Sequence, residues 1–402
     1  MPILSIPFLN RYIKGLNNMN KSKLDMIIRL NKEKPNCYTL EENVVSDFIG
    51  HAAKELRKKT KVSGKITEFY HVDEVFGSIN GLLPGSTGKI AYRICKNKFE
   101  TEKLLEWADL PTLNSSFFTH EQLKEAKDFI DESVHSKFVL KPISLGSGKG
   151  IIFDVDRENI EESWNRSLEI QRNRKIEEPS FILQNYLDGF DVRICIVEGK
   201  FACALWRVQP HVVGDGNSTV RELITRKNEQ RQKSVYFQRF LYNMDEVLIQ
   251  KVRSQKKELD SILDKNEVLI LSDLGNLAAG AESVDITKIV GENLINLALK
   301  SVAAVPGLYT AGVDILTENL NADTGYIIEI NTNANHKVHY MPYHGEIRAP
   351  YKNLMENMLI KYKLKAGLGL DQQERRIYRD ITKFNNYKEM YHSKLTNLLM
   401  QK

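Results

Sequence analysis

A chain of 402 residues is long enough for two or three domains. Its 57 Lys and Arg against 52 Asp and Glu leave a formal net charge of +5, too balanced to make nucleic acid the main partner. With 42% hydrophobic and 27% charged residues, no apolar run of membrane-spanning length, and a start (Met1 to Leu9) without a basic leader or small-residue cleavage site, the chain reads as an ordinary globular protein expected in the cytoplasm, with no membrane partner.

Leu24 to Leu30 reads as a short amphipathic helix, and Leu40 to Lys59 as a helix with Thr39 as N-cap and Glu41 and Glu42 in its first turn. Gly64 to Phe69 and Gly88 to Cys95 read as strands around a Gly/Pro-punctuated segment, giving a small N-terminal α/β domain without a dinucleotide fingerprint. Asn97-Lys98 opens a helix through Trp107, and His120 to Ser136 reads as another. Phe138-Val-Leu-Lys141-Pro is a strand that buries a lysine. It runs through Ser144-Leu-Gly-Ser147-Gly148-Lys149-Gly150 into a second strand, Ile151 to Val155. Two strands joined by a Gly-rich loop make a flap whose backbone N–H groups can approach phosphate, with Ser147 and Lys149 adding a hydroxyl and a charge. Taken alone, the same loop reads first as a flexible hairpin tip with one solvated lysine, and it is not a Walker loop, because GxxxxGK[ST] is absent and a strand follows it.

Glu158 to Arg174 is helical, Phe181 to Leu187 a strand, and Asp191 to Val197 with Lys200 to Arg207 a hairpin turning at Glu198-Gly199. A two-residue turn there sets Cys195 opposite Ala202 and puts Arg207 on the face away from Asp191 and Arg193. A bulge at Gly199 would return all three charged residues to one face. None of the four cysteines (Cys37, Cys95, Cys195, Cys203) forms a disulfide framework or a metal-binding CxxC pattern, and Cys195 and Cys203 read as reduced core residues. His211 to Thr219 is a turn feeding a capped helix, Thr219 to Lys233. Residues 235 to 266 are polar and helical, Glu267 to Leu271 is a strand, and Thr287 to Ala304 is a helix.

Two short strands then carry acids. Asp314 lies in Gly312-Val-Asp-Ile-Leu. Glu329 and Asn331 share one face of the strand Tyr326 to Ile330 and its exit. Carboxylates on neighbouring strands with an Asn carbonyl make an oxygen cage suited to Mg²⁺. They read equally as strand-end acids satisfied by Lys or backbone N–H groups. After Pro350, two polar helices with Lys361, Lys363 and Lys365 read as a solvated appendage.

Taken in order, these pieces resemble the ATP-grasp superfamily, over roughly residues 85 to 348. The similarity is greatest to the ligase domains of cyanophycin synthetase and the bifunctional glutathione synthetases. It rests on Asn97-Lys98-x-x-Thr101, Phe138 to Lys141-Pro, the flap, Gln184-Asn-Tyr-Leu-Asp-Gly-Phe-Asp191-Val-Arg193, Val212 to Gly216 with Ser218 to Leu223, Asn276 to Gly280, Gly312-Val-Asp314, Glu329-Ile-Asn331 and His339-x-x-Pro-x-x-Gly-x-x-Arg348. The resemblance implies an α/β ATP-grasp fold of three lobes, nucleotide between two antiparallel sheets and a helical C-terminal extension. The expected domains are 1–97, 98–190, 191–348 and 349–402. It implies ATP, with Mg²⁺ (or Mn²⁺) on Asp314, Glu329 and Asn331, and nucleotide contacts from Lys98, Lys141, Ser147, Gly148, Lys149, Gln184, Asn185, Tyr186, Leu187 and Asp191. Arg207, Arg193 and Lys149 are expected at the reacting phosphate, and His211, Asn333, His339 and Arg348 at the substrate.

The activity so implied is a carboxylate–amine ligase that joins an amino acid or peptide through an acyl phosphate and releases ADP, with self-association left open. Three departures from the family pattern stand out: Gln184 where Glu is usual, Ser272 where an Arg is common, and Ala334-Asn335 in place of Pro-Gly. They keep open a small-molecule kinase or a non-catalytic nucleotide-binding regulator.

Overall fold

The computed structural model describes residues 21–400, apart from 39–46, 114, 144 and 147. Thr39, the first turn of the expected second helix, and Ser144 and Ser147 of the flap lie outside the described residues.

In the N-terminal lobe, helix α1 (residues 21–30) buries Ile27 and Leu30. Helix α2 (Phe48–Glu55) is shorter than its expected span to Lys59, because Asp47 caps it by accepting from the Gly50 N–H at 2.7 Å and Lys59 already starts a strand. A four-stranded antiparallel sheet follows: β1 (Lys59–Ser63), β2 (Ile66–His71), β3 (Glu74–Asn80) and β4 (Leu83–Pro84). The expected strand from Gly88 to Cys95 is instead helix α3 (Lys89–Lys96). Its apolar residues work at helical spacing, with Ala91 and Cys95 buried four apart and Ile90 and Tyr92 exposed. Asn97 caps α4 (Lys98–Trp107) by accepting from Phe99 N and Glu100 N, which fixes Lys98 at its first position.

The second lobe contains β5 (Ser116–Thr119), α5 (Leu123–Glu132), β6 (Phe138–Pro142), β7 (Ile152–Val155), α6 (Ile160–Asn173) and β8 (Ser180–Asn185). Its sheet, ordered β5-β8-β6-β7 and antiparallel throughout, packs Phe138, Leu140, Phe181 and Leu183 against Trp164 and Ile160 of α6. The helix expected from His120 to Ser136 is only the ten residues of α5.

The third lobe runs through β9 (Phe190–Val197), β10 (Lys200–Val208), β11 (His211–Val213), α7 (Val220–Gln232), α8 (Glu246–Ser254), β12 (Val268–Ile270), β13 (Glu282–Asp285), α9 (Glu292–Ala304), β14 (Ala311–Thr317) and β15 (Tyr326–Asn331). Its antiparallel sheet has the order β13-β10-β9-β14-β15. Even-numbered residues of β9 (Phe190, Val192, Ile194, Ile196) join Trp206, Val313 and Ile315 in a core shared with α3, α4 and α9. The opposite face carries the charged residues.

The β9–β10 hairpin corrects the expected register. Its turn is two residues long, with both Glu198 (φ 53°) and Gly199 (φ 86°) left-handed, the geometry that matches strand twist. The pairing then slips at Ala202, so that Cys203, not Ala202, faces Cys195, and Leu205 faces Arg193. This bulge, rather than one at Gly199, returns Arg207 to the face of Asp191 and Arg193.

The last two helices, expected as a solvated appendage, belong to the core. Leu354, Met355, Met358 and Leu359 of α10 (Pro350–Lys365) lie between the N-terminal sheet and the end of β9–β10, and Asn357 donates to the Val197 carbonyl at 2.8 Å. In α11 (Gln372–Met400), Phe384 and Tyr391 pack into the core that α9 shares. Among the described residues, no helix is long and apolar enough to cross a membrane.

Candidate active site

A cavity of about 480 Å³ lies between the second-lobe and third-lobe sheets. Val139, Lys141, Ile151 and Phe153 line it from the second lobe, residues 185–189 from the connecting hinge, and Asp191, Arg193, Arg207, Asp314, Glu329 and Asn331 from the third.

The third-lobe wall is ordered by pairing. Arg193 on β9 faces Asp314 on β14, and Asp314 faces Glu329 on β15, while Asn331 stands two residues further along the same face, beside Gly312. Arg193 donates to both oxygens of Asp314, at 2.7 and 2.8 Å. Arg207 reaches Asp314 at 3.1 Å and Asp191 at 2.5 Å, and Asn331 Nδ2 lies 3.4 Å from Asp314. Burial opposes ionisation of Asp314, yet the two guanidinium groups hold it below the ordinary carboxylate range. Burial raises Asp191 in spite of Arg207, with Asp314 adding to the rise. Burial works against Arg207, but Asp191 and Asp314 hold it more firmly protonated.

Opposite stand two lysines. Lys98 lies 3.6 Å from Glu329 and donates to the Leu145 carbonyl at 3.0 Å, joining the first turn of α4 to the base of the flap. Lys141 is buried on β6. Burial pushes its ammonium down to about 8; Glu329 opposes the shift and Lys98 adds to it. The flap leans on the third lobe: a Cβ on Gly148 would stand 2.9 Å from both Asn276 Nδ2 and Leu274 Cδ2, and its φ of 75° favours glycine. Lys149 is exposed at the flap's tip.

Asn185, Tyr186 and Leu187 line the hinge side of the cavity. Gln184 does not. It is buried behind the wall, accepting a hydrogen bond from Lys141 and donating to Glu102 at 3.2 Å and Ser115 at 2.5 Å. Four of the residues expected at the substrate also lie off the cavity wall. His211 is buried near Glu282 and Lys227. Arg348 is tied to Asp285 at 2.6 Å, Asn333 is exposed in a turn, and His339 is buried beside Cys195 and Cys203. Two lining residues went unread in the sequence. Lys23 of α1 pairs with Asp188 at 2.6 Å, and Asp273 pairs with Lys251 at 2.6 Å. Neither sits in a motif, and only the fold brings Lys23 to the hinge.

The Asp314 and Glu329 carboxylates and the Asn331 side-chain carbonyl are oxygen ligands on adjacent strands, a set that fits a hard divalent cation rather than a thiophilic one, although Asp314 here is held by arginines and by Asn331 Nδ2. Two sheets closing on a cleft, with Lys141 on the strand that enters a Gly-rich flap, Lys98 bonded to the flap's base and acids on the facing sheet, form the ATP-grasp class of fold expected from the sequence. The solved bifunctional glutathione synthetase of Pasteurella multocida superposes with a TM-score of 0.54 at 24% identity, over 78% of this chain and 43% of that one. In sequence, the chain is similar to the cyanophycin synthetase of Crocosphaera subtropica (26% identical over 287 residues, 69% of this chain and 32% of that protein). It is equally similar to the glutathione biosynthesis bifunctional protein GshAB of Streptococcus mutans (26% over 287 residues, 69% and 37%). The chain thus spans about a third of the length of these curated relatives. No family model matches it.

Proposed function

We propose that the protein is an ATP- and Mg²⁺-dependent ligase that joins a carboxylate to an amine, with an amino acid or peptide on at least one side. The carboxylate attacks the γ-phosphate, ADP leaves, and the amine displaces phosphate from the resulting acyl phosphate. The observation that carries this reading is that Arg193, Arg207, Asp314, Glu329 and Asn331 on one sheet and Lys141 on the other line a single cleft, with Lys98 beside it, 3.6 Å from Glu329. The relatives' names as synthetases support joining chemistry.

In this reading the segment 98–190 supplies the flap and the lysines, and 191–348 supplies the acids. The backbone of Asn185 to Leu187 holds the base against the apolar surface of Val139, Ile151 and Phe153. Lys98 and Lys141 meet the phosphates, and Lys149 closes with the flap. Asp314, Glu329 and Asn331 would hold the cation, which neutralises charge developing on the transferred phosphate. Arg193 and Arg207, held along the sheet, stabilise the oxyanions of both half-reactions. The acceptor site lies toward Asn335, Val338 and Ser283, which line the cavity.

Incubation with ATP, Mg²⁺ and a panel of amino acids and short peptides should give ADP, phosphate and a product lighter by one water than the two substrates together. AMP with pyrophosphate, or a stable phosphorylated product without condensation, would overturn the reading; the second outcome is that of a kinase.

A further inference from the structure

One cluster of chemistry-bearing side chains takes no part in the site just described. Because of the bulge at Ala202, Cys195 and Cys203 face each other across β9–β10, one rung beyond Arg193 on the same side of the sheet, and both are fully buried. The chain leaves β15 at Asn331 and folds back over this rung, where His336–His339 forms a single 3₁₀ turn. Residues three apart in such a turn are eclipsed, so His336 and His339 point to one side. The donor atoms of Cys195, Cys203 and His339 all lie within 4.8 Å of one another. His336 Nδ1 lies 3.3 Å from Cys195 Sγ. Both histidines are buried, and His339 Nδ1 has no hydrogen-bond partner, an unusual cost for an imidazole sealed from water.

We propose that Cys195, Cys203, His336 and His339 form a buried site for a thiophilic divalent cation, Zn²⁺ foremost, that pins the loop after β15 to the sheet behind Arg193. Two thiolates and two imidazoles are a standard Zn²⁺ ligand set. Metal–ligand lengths of about 2.0–2.3 Å in a tetrahedron put neighbouring donors roughly 3.3–3.8 Å apart, a modest contraction for Cys195, Cys203 and His339, with His336 joining from its contact on Cys195. Binding replaces both thiol protons, which leave to solvent, and the loaded site carries no net charge, which suits its burial. It also gives the buried His339 imidazole a partner. The oxygen donors around Asp314 select a different kind of ion, so the two sites do not compete for the same metal. The site does not rest on the ligase reading.

The test uses the full chain, purified under reducing conditions, with metal content measured by mass spectrometry. Metal-free protein is then titrated with Co²⁺. The expected results are one equivalent of Zn²⁺ per chain and, with Co²⁺, a thiolate-to-metal charge-transfer band with intense tetrahedral ligand-field bands. Cys203→Ser and His339→Gln should each lose the metal or weaken it at least tenfold, while Cys37→Ser, a change at an exposed thiol, should keep it. Chelation of wild-type protein should lower Tm, which reads the site without relying on any variant folding. No thiolate band with Co²⁺ in folded wild-type protein, a band that survives Cys203→Ser, or a Cys195–Cys203 disulfide two hydrogens lighter in the reduced preparation would each overturn the proposal.

Discussion

Arg193 grips Asp314 across the β9–β14 rung with two parallel hydrogen bonds, Nε to Oδ1 at 2.7 Å and Nη2 to Oδ2 at 2.8 Å. Arg207 adds a third contact to the same carboxylate. The acid proposed to meet the cation therefore also organises the two arginines proposed to meet the oxyanions. It is almost wholly buried, whereas Glu329 beside it is about a third exposed.

That contrast separates two substitutions. Asp314→Asn leaves Arg193 without its carboxylate and Arg207 with Asp191 alone, so it should lose activity and also destabilise the fold, by ~3 kcal/mol or more, as broken buried pairs do. Glu329→Gln removes charge near a single lysine at 3.6 Å. It should lower turnover about 100-fold or more while leaving Tm nearly unchanged. Turnover assays beside thermal melts check both; a Glu329→Gln enzyme with wild-type turnover at ordinary Mg²⁺ would remove Glu329 from the cation site.

Lys141 makes nucleotide binding depend on pH. Its ammonium, pushed down to about 8 in the free protein, is charged below that pH and neutral above it. Phosphate oxygens favour the charged form, so binding above pH 8 must take up a proton. The association constant should be flat below about pH 7.5 and fall up to about tenfold per pH unit above 8. Lys141→Arg should flatten the profile, because a guanidinium stays charged throughout. Calorimetric titrations across this range measure it; a wild-type profile flat to pH 9.5 would take Lys141 away from the phosphates.

The flap can be read by protease. Lys149 is exposed while Gly148 leans on Leu274 and Asn276. Trypsin should cut after Lys149 in the free protein and much more slowly with an ATP analogue and Mg²⁺ present. Gly148→Ala, strained at φ 75° and crowded at 2.9 Å, should cost ~1–3 kcal/mol in flap closure and weaken nucleotide accordingly. Equal cutting with and without bound nucleotide would mean that the flap does not cover it.

The order of the motifs made the two-sheet cleft legible in the sequence, because Lys98 follows a helix cap and Lys141, Asp314 and Glu329 each interrupt a short apolar strand that local pattern identifies. What pattern could not give was register. Alternation places Arg207 on one face or the other only once the bulge at Ala202 is known, and an extra residue in a strand leaves no mark on composition. The same slip made Cys195 and Cys203 look unrelated. Gly88 to Cys95 read as a strand because its apolar and β-branched residues are short of two helical turns, a length at which the two periods are hard to tell apart. The three lysines at the end of α10 drew attention away from Leu354, Met355 and Met358, which hold that helix in the core. Gln184 reads as a hinge residue by position, yet its side chain belongs to the network with Glu102 and Ser115 behind Lys141, which only tertiary packing reveals.

The central claim is that a carboxylate attacks the γ-phosphate and is then displaced by an amine. It is tested most directly by supplying the carboxylate substrate labelled with heavy oxygen and analysing the phosphate by mass spectrometry. The account predicts ADP, and inorganic phosphate carrying one labelled oxygen for each amide formed, released only when the amine is present. Unlabelled phosphate accompanying amide formation, or label appearing in AMP, would contradict it.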